Sequence, residues 1–432
     1  MSNQNYIINI LNLKENNLIF KENFYCEEKI NGITHKIFEA YLSYNPTCCS
    51  KCGVVFDENF EKHGFITSNI KIPDVSGFKS ILKPHKQRYL CKHCNKAFTL
   101  STNIVNYGCF ISNNTKHKIA TDLAKKRSEK DIALDNNVSC NTVERIMDSY
   151  YETQKLYKNK LPQVLSFDEF KSVKSADGAM SFHMCDGVTG QTIDIIEDRR
   201  LDNLIKYFFY YNYKARSRVK FIIIDMYSPY ISLIKKMFPN ASIIIDKFHL
   251  TQLISRSINK TRIMVMKKHK KHHRKFKRYW RLILKPREEL DVSKWKRFPC
   301  FDSLITESDI VSFLINLDDE LKNTYLVYQE LLFALKNKNY DLLKSTLCNH
   351  NSNFSSYMKT SIKTLIEFLP FIKNTFTNNY HNGYIEGNNN FIKVIKRIAF
   401  GFRSFKRFKA RIMICKGLLK IKKKPMLNAP AI

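Results

Sequence analysis

Phe221-Ile222-Ile223-Ile224-Asp225-Met226 is the stretch on which the fold turns. An apolar run of this length, mostly β-branched, reads as a buried strand. It ends on a carboxylate. The same pattern stands on either side of it. Leu165-Ser166-Phe167-Asp168-Glu169-Phe170 lies upstream, and Ser242-Ile243-Ile244-Ile245-Asp246 downstream. Strands are expected over 163–170, 179–185, 192–197, 219–224 and 242–245. Helices are expected over 201–211 and 228–237, the second opened by Ser228-Pro229 and broken by Pro239-Asn240.

Three strands joined by short turns, then alternating helix and strand, predict an RNase H-like α/β sheet. In such a sheet Asp168 and Asp225 close neighbouring strands. A third acidic phrase lies far downstream, His381-Asn382-Gly383-Tyr384-Ile385-Glu386-Gly387-Asn388-Asn389-Asn390. It opens a helical pattern, and its small residues leave room around Glu386. Residues 251–379, mainly helical in pattern, must fold out of the sheet and return the chain to it. The core is therefore expected in two parts. Asp246 competes as a substitute ligand, and Glu169 adjoins Asp168. His249 reads as a structural or DNA-contacting group.

The chain has 432 residues, enough for two to four domains, and a formal charge of +33 from 72 Lys and Arg against 39 Asp and Glu. Hydrophobic residues make up 44% and aromatics 13%, which argues against a disordered tail. Such an excess of cations is the footprint of a polyanion partner. A ribosomal, membrane-surface or nucleic-acid-storing protein is the alternative on charge alone. A cationic chain gathers carboxylates where they hold a cation. Asp168, Asp225 and Glu386 are thus candidate catalytic ligands for Mg²⁺ or Mn²⁺, in phosphoryl transfer on nucleic acid. The sequence has no apolar run of membrane-spanning length and no signal-peptide pattern, so a cytoplasmic protein with no membrane partner is expected.

Two of the motifs are modules. Cys49-Ser50-Lys51-Cys52 and Cys91-Lys92-His93-Cys94 are C-x-x-C pairs. Each offers two thiolates from one tight turn, and four complete a closed tetrahedral Zn²⁺ site, as in a zinc ribbon. Cys48 and His93 are possible replacements within that set. Residues 115–151 then turn helical. Ser128-Glu129-Lys130-Asp131 resembles a capping box, Asn136-Asn137 a turn, and a second helix carries Val143, Ile146 and Met147 on one face. Its other face carries Asn141, Thr142 and Arg145, which have the donors and acceptors to read base edges. This is the pattern of a helix-turn-helix.

Basic residues return in two places. Lys267 to Arg278 is a dense run, either a solvated helix face or a phosphate contact. Beyond Glu386, Lys396, Arg397, Arg403, Lys406 and Arg407 alternate with phenylalanines. There the cations can lie along phosphates while the rings pack against the core.

Taken in order, these phrases resemble the ISL3 family of insertion-sequence transposases, from about Cys49 to Arg411. The ordered set is specific, although each phrase alone is weak. The resemblance implies a DDE-type transposase with Asp168, Asp225 and Glu386 as its triad. It also implies N-terminal modules that recognise terminal inverted repeats. Two ends must be synapsed, so a homodimer in the synaptic complex is expected. Where the family usually has a serine before Asn-Gly, this chain has His381. The expected division is an N-terminal segment (1–45), a zinc-ribbon-like domain (46–100), a helix-turn-helix (110–155), the first part of the RNase H-like core (161–250), a helical insertion (251–379), the second part of the core (380–415) and a basic tail (416–432). The alternatives are a catalytically silent DNA-binding regulator that keeps the fold, and a different nuclease acting on branched DNA.

Overall fold

The computed structural model describes residues 3–152, 159–348 and 353–422, and most of the basic tail (423–432) lies outside them. The chain divides into two compact units. One comprises Met1–Lys155 with Lys393–Ile432, the other Leu156–Ile392.

The first unit opens with α1 (Asn3–Ile10) and a seven-stranded sheet. Its strands are β1 (Leu18–Ile19), β2 (Tyr25–Ile30), β3 (Ile33–Leu42), β4 (Phe60–Thr67), β5 (Ile70–Val75), β6 (Phe78–Cys91) and β7 (Lys96–Thr99). β6 is the hub. It pairs with β3 in parallel and with β4, β5 and β7 antiparallel. Phe38, Leu42, Leu82, Tyr89 and Phe98 alternate inward to form one core. The sheet thus recruits the N-terminal segment as well as the ribbon.

Three helices follow: α2 (Asn113–Asp122), α3 (Glu129–Asp135) and α4 (Cys140–Tyr150). Each is started by a serine whose hydroxyl accepts an amide of the first turn: Ser112, Ser128 and Ser139. Ile119, Leu123, Ile132, Ala133, Val143, Ile146 and Met147 close their shared core.

The second unit is built on a five-stranded mixed sheet: β8 (Val164–Lys171), β9 (Met180–Asp186), β10 (Thr192–Ile196), β11 (Phe221–Ile224) and β12 (Ser242–Ile245). The order is β10-β9-β8-β11-β12. β8, β11 and β12 are mutually parallel, and β9 and β10 antiparallel. These strands coincide with the sequence-predicted ones to within two residues at each end. α5 (Leu201–Phe208), α6 (Tyr213–Ser217) and α7 (Ser228–Met237) connect them. Leu165, Phe167, Ile222, Ile224, Ile243 and Ile245 point to one face and join the main core with Leu204, Phe208, Tyr230 and Leu233. Val164, Ile223 and Ile244 point to the other.

From β12 the chain runs through α8 (Lys247–Lys268), α9 (His273–Arg278), α10 (Trp280–Leu284) and a short hairpin, β13 (Lys296–Arg297) with β14 (Leu304–Ile305). Next come α11 (Glu307–Ile315), α12 (Asp319–Lys336), α13 (Tyr340–Cys348) and α14 (Ser356–Thr377). Ile254, Ile258, Tyr328, Leu331, Leu365 and Ile372 tie these helices into the same core as the sheet. Part of the basic run is structural: Phe276 is buried, and Lys275 Nζ stands 4.3 Å from the Phe301 ring centre. α14 returns the chain to β12, where Thr375 Oγ1 accepts from Ile245 N at 3.0 Å and donates to its carbonyl at 2.9 Å.

α15 (Gly383–Ile398) follows, and the boundary between the units falls within it. α16 (Phe405–Cys415) packs in the first unit. There Ile414 enters the core of α2–α4, and the buried Arg411 guanidinium donates to the carbonyls of Leu123, Lys125 and Arg127. Among the described residues, no helix is long and apolar enough to cross a membrane.

Candidate active site and zinc centre

The parallel register aligns three carboxylates. Ser166 pairs with Ile223, and Ile223 with Ile244. Two residues further along each strand stand Asp168, Asp225 and Asp246. They form one row just past the parallel pairing, on the face of Val164, Ile223 and Ile244. Asp225 and Asp246 directly follow β11 and β12, whereas Asp168 does not close its strand as expected, because β8 runs on against β9 to Lys171. The amide of Asp246 donates to Ile224 O at 2.9 Å, so the pairing persists to the strand ends. Glu169 faces the opposite way. It forms an ion pair with Arg199 and accepts from Tyr230 Oη at 2.9 Å, which removes it from the row.

His249, in the first turn of α8, stands among these groups. Its Nε2 lies 3.0 Å from Asp225 Oδ1, 3.9 Å from Asp246 Oδ2 and 3.8 Å from Glu386 Oε1. Glu386, in the first turn of α15, thus stands beside His249. The cluster includes a histidine that sequence reasoning set aside. Burial disfavours the imidazolium of His249, but the hydrogen bond and charge of Asp225, with Asp246 and Asp168, outweigh it and raise its pKa.

Asp168 is held from two sides. Its Oδ1 accepts from Glu169 N and its Oδ2 from Asn389 Nδ2, both at 2.7 Å. Burial, then the charge of Asp225, pushes its carboxyl up to about 7. Burial likewise raises Asp246. Two buried carboxyls with raised pKa values, Asp168 and Asp246, are unfavourable as anions by themselves and suit a cation.

Behind Asp168 runs a buried chain of hydrogen bonds. Asn389 Oδ1 lies 2.8 Å from His183 Nδ1, and His183 Nε2 lies 3.0 Å from Thr192 Oγ1. Asn389 directs its amide hydrogens to Asp168 Oδ2 and the Glu169 carbonyl, so its oxygen must accept. A neutral His183 therefore carries its proton on Nδ1 and takes one from Thr192 on Nε2. Asn382 makes a second support. Its Nδ2 donates to Asp225 Oδ1 at 3.4 Å and its main-chain N to Asp246 Oδ1 at 3.2 Å. Its buried Oδ1 meets no donor among the described residues and remains open to water or a cation. His381 Nδ1 accepts from Gly383 N at 3.1 Å at the start of α15.

The donor set fits a hard divalent ion. Asp168, Asp225, Asp246 and Glu386 offer oxygens, and only His249 offers nitrogen. Asp225, Asp246 and His249 have ligand atoms mutually within 4.8 Å.

The four cysteines of the first unit also converge. Cys49 Sγ lies 3.8 Å from Cys94 Sγ, and Cys52 Sγ 3.8 Å from Cys91 Sγ. A zinc tetrahedron with bonds of about 2.3 Å has edges of about 3.8 Å. Each knuckle is followed by a left-handed residue, Gly53 at φ 78° and Asn95 at φ 56°, which turns the chain back on itself. Burial opposes ionisation of Cys49, but the amides of Lys51 and Cys52 donate to it, and its pKa falls to about 7. Cys48 bridges to Val55, and His93 Nε2 is 2.7 Å from Asp57 Oδ2. The four-thiolate set thus supports a structural Zn²⁺.

The other sequence-predicted residues fall as follows. Asn141 and Arg145 are exposed on α4, and Thr142 is buried beneath Arg145, whose Nη2 donates to its hydroxyl at 3.1 Å. Arg397, Arg403 and Lys406 are exposed, Lys396 is half-buried, and Arg407 pairs with Glu144.

A four-cysteine knuckle and an α/β unit with a carboxylate row are the two places where metal-ligating side chains gather among the described residues. Residues 165–412 match the family model of the ISL3 transposases, described as a transposase. Residues 45–94 match the model for the zinc-finger of the IS204/IS1001/IS1096/IS1165 transposases. The chain belongs to the ISL3 transposase family. It is similar to the transposase for insertion sequence element IS1001 of Bordetella parapertussis, 28% identical over 204 residues, or 46% of this chain and 48% of that protein. It is also similar to an ATP-dependent protease of Lactococcus lactis subsp. lactis, 43% identical over 113 residues, or 26% of this chain and 36% of that protein. The chain thus spans about a third to a half of the curated relatives it matches.

Proposed function

We propose that the chain is a DDE-type transposase that binds the terminal inverted repeats of an insertion sequence, cleaves the donor DNA and joins the 3′ ends to a target. The reading rests above all on Asp168 and Asp225 in one row across the parallel strands β8 and β11, with Glu386 and Asp225 both beside His249. The strand order and the mixed pairing support an RNase H-like core, and α8–α14 a helical insertion within it. The capped trio α2–α4 supports a helix-turn-helix with Asn141 and Arg145 outward, while Thr142 steadies Arg145.

Mg²⁺ or Mn²⁺ held by Asp168, Asp225 and Glu386 would activate the attacking oxygen and neutralise charge at the scissile phosphate. The chain's own groups do the rest. Asn389 and the Glu169 amide fix the Asp168 carboxylate, Asn382 fixes Asp225, and His249 holds Asp225 and Glu386 together. Asp246 is a further oxygen donor in reach. The exposed cations of 397–406 are suited to phosphates. Two ends must be brought together, so a homodimer acting on cytoplasmic DNA is part of the proposal.

The test is strand transfer with purified protein, Mg²⁺ and a duplex ending in the element's inverted repeats. Joined products that depend on those repeats are expected. Tight repeat binding without cleavage would instead mark a silent regulator. Equal or better cutting of branched DNA would mark a different nuclease.

A further inference from the structure

The C-terminal end of α15 departs from a rule of helix termination. Gly401 N donates to Lys396 O at 3.2 Å and Phe400 N to Arg397 O at 3.0 Å. This pair of bonds is the Schellman pattern, whose left-handed position is normally glycine. Here it is Phe400, at φ 53°, and the available glycine, Gly401, comes one residue later. The side chain gains nothing from the fold in return: Phe400 is 96% exposed. Its neighbours behave otherwise, for Phe405 and Phe408 are buried. A bulky residue in the left-handed region, fully in water, is kept at a cost to the fold.

The surroundings indicate what covers the ring. From Gly387 to Ile432 the sequence contains no Asp or Glu. Arg397, Arg403 and Lys406 are exposed around the turn, and none of them is paired with a carboxylate among the described residues. An exposed aromatic ring among unpaired cations matches a polyanion that also carries flat apolar faces. Inorganic phosphate offers the charge without the face, and an apolar protein partner the face without the charge.

We infer that Phe400 is a stacking residue that packs on an unpaired or unstacked DNA base while the flanking cations hold the adjoining phosphates. The inference deepens the DNA-processing reading and rests on it. It extends to the nucleotide contact, and no catalysis is needed to test it.

The experiment uses the full chain with oligothymidine, and inorganic polyphosphate of equal charge as the control. The Phe400→Gly variant should melt at the same temperature as wild type or higher, because glycine suits the left-handed position. It should bind oligothymidine roughly 5- to 100-fold more weakly. Its salt dependence should be unchanged, because no cation is lost. Phe400→Trp should restore affinity, and its extra indole emission over wild type should be quenched by oligothymidine but not by polyphosphate. Oligothymidine affinity of Phe400→Gly within twofold of wild type, or equal quenching by both polyanions, would overturn the inference. Cleavage by the carboxylate site is read separately, so an inactive site with a stacking Phe400, or the reverse, would be distinguished.

Discussion

Replacing Asn389 by leucine removes one amide that serves two buried partners. Its Nδ2 donates to Asp168 Oδ2 at 2.7 Å, and its Oδ1 meets His183 Nδ1 at 2.8 Å. His183 is fully buried, so water does not replace the lost acceptor. Each buried polar group left alone costs about 1–3 kcal/mol, so the single variant should lose about 2–5 kcal/mol. His183→Leu should cost a similar amount, since it strips Asn389 Oδ1 and Thr192 Oγ1 of their partner. The double variant removes both ends of the 2.8 Å bond at once. Its cost should therefore fall short of the two single costs combined by about 1–2 kcal/mol. Urea unfolding followed by the fluorescence of Trp280 and Trp295, both in the Leu156–Ile392 unit, reads this directly. Costs that add to within about 0.3 kcal/mol would refute the coupled chain behind Asp168.

Further predictions concern the four-cysteine site, the carbonyls held by Arg411 and the approach of α15 to Gly190. Cys91→Ser should abolish stoichiometric zinc binding, and a strong chelator acting on wild type should expose Tyr89 and Phe98 to quenchers; an unchanged zinc content in the variant would count against the ligand set. Arg411→Met should destabilise the first unit by about 2–4 kcal/mol in thermal or urea unfolding, because three carbonyls lose their shared donor. Gly190→Ala should lower cleavage with little loss of DNA affinity. Gly190 has φ 72°, and a Cβ there would stand 3.0 Å from the Tyr384 side chain on α15. Wild-type turnover in that variant would show that α15 tolerates displacement.

Much of this was legible in the sequence because the signals were local. The C-x-x-C spacing brings two thiolates together within one turn, whatever the distant fold does. Apolar runs ending on Asp225 and Asp246 marked both strands and their carboxyl ends. The phrase opened by Ser128 marked the start of α3. Other features depend on register and on contacts between distant residues. Asp246 enters the row with Asp168 and Asp225 only through a pairing in which a one-residue slip would turn it to the other face. His183 and Asn389 are 206 residues apart, and neither carries a local mark of the other. His249 read as a structural or DNA-contacting group, and only the turn of α8 sets it between Asp225 and Glu386. The N-terminal segment lacked a motif, yet β3 pairs in parallel with β6 over eight residues. Phe400 read as one more packing phenylalanine, because sequence alternation does not reveal the sign of φ.

The most direct measurement is single-turnover, Mg²⁺-dependent cleavage at the inverted-repeat ends by wild type and by Asp225→Asn, with folding checked by circular dichroism and repeat binding by titration. Asp225 is the central carboxylate of the row and contacts both His249 and Asn382. The account predicts a folded, DNA-binding variant whose cleavage is at least about a thousandfold slower, the loss expected for several kcal/mol of transition-state stabilisation. Cleavage by Asp225→Asn at the wild-type rate would contradict it.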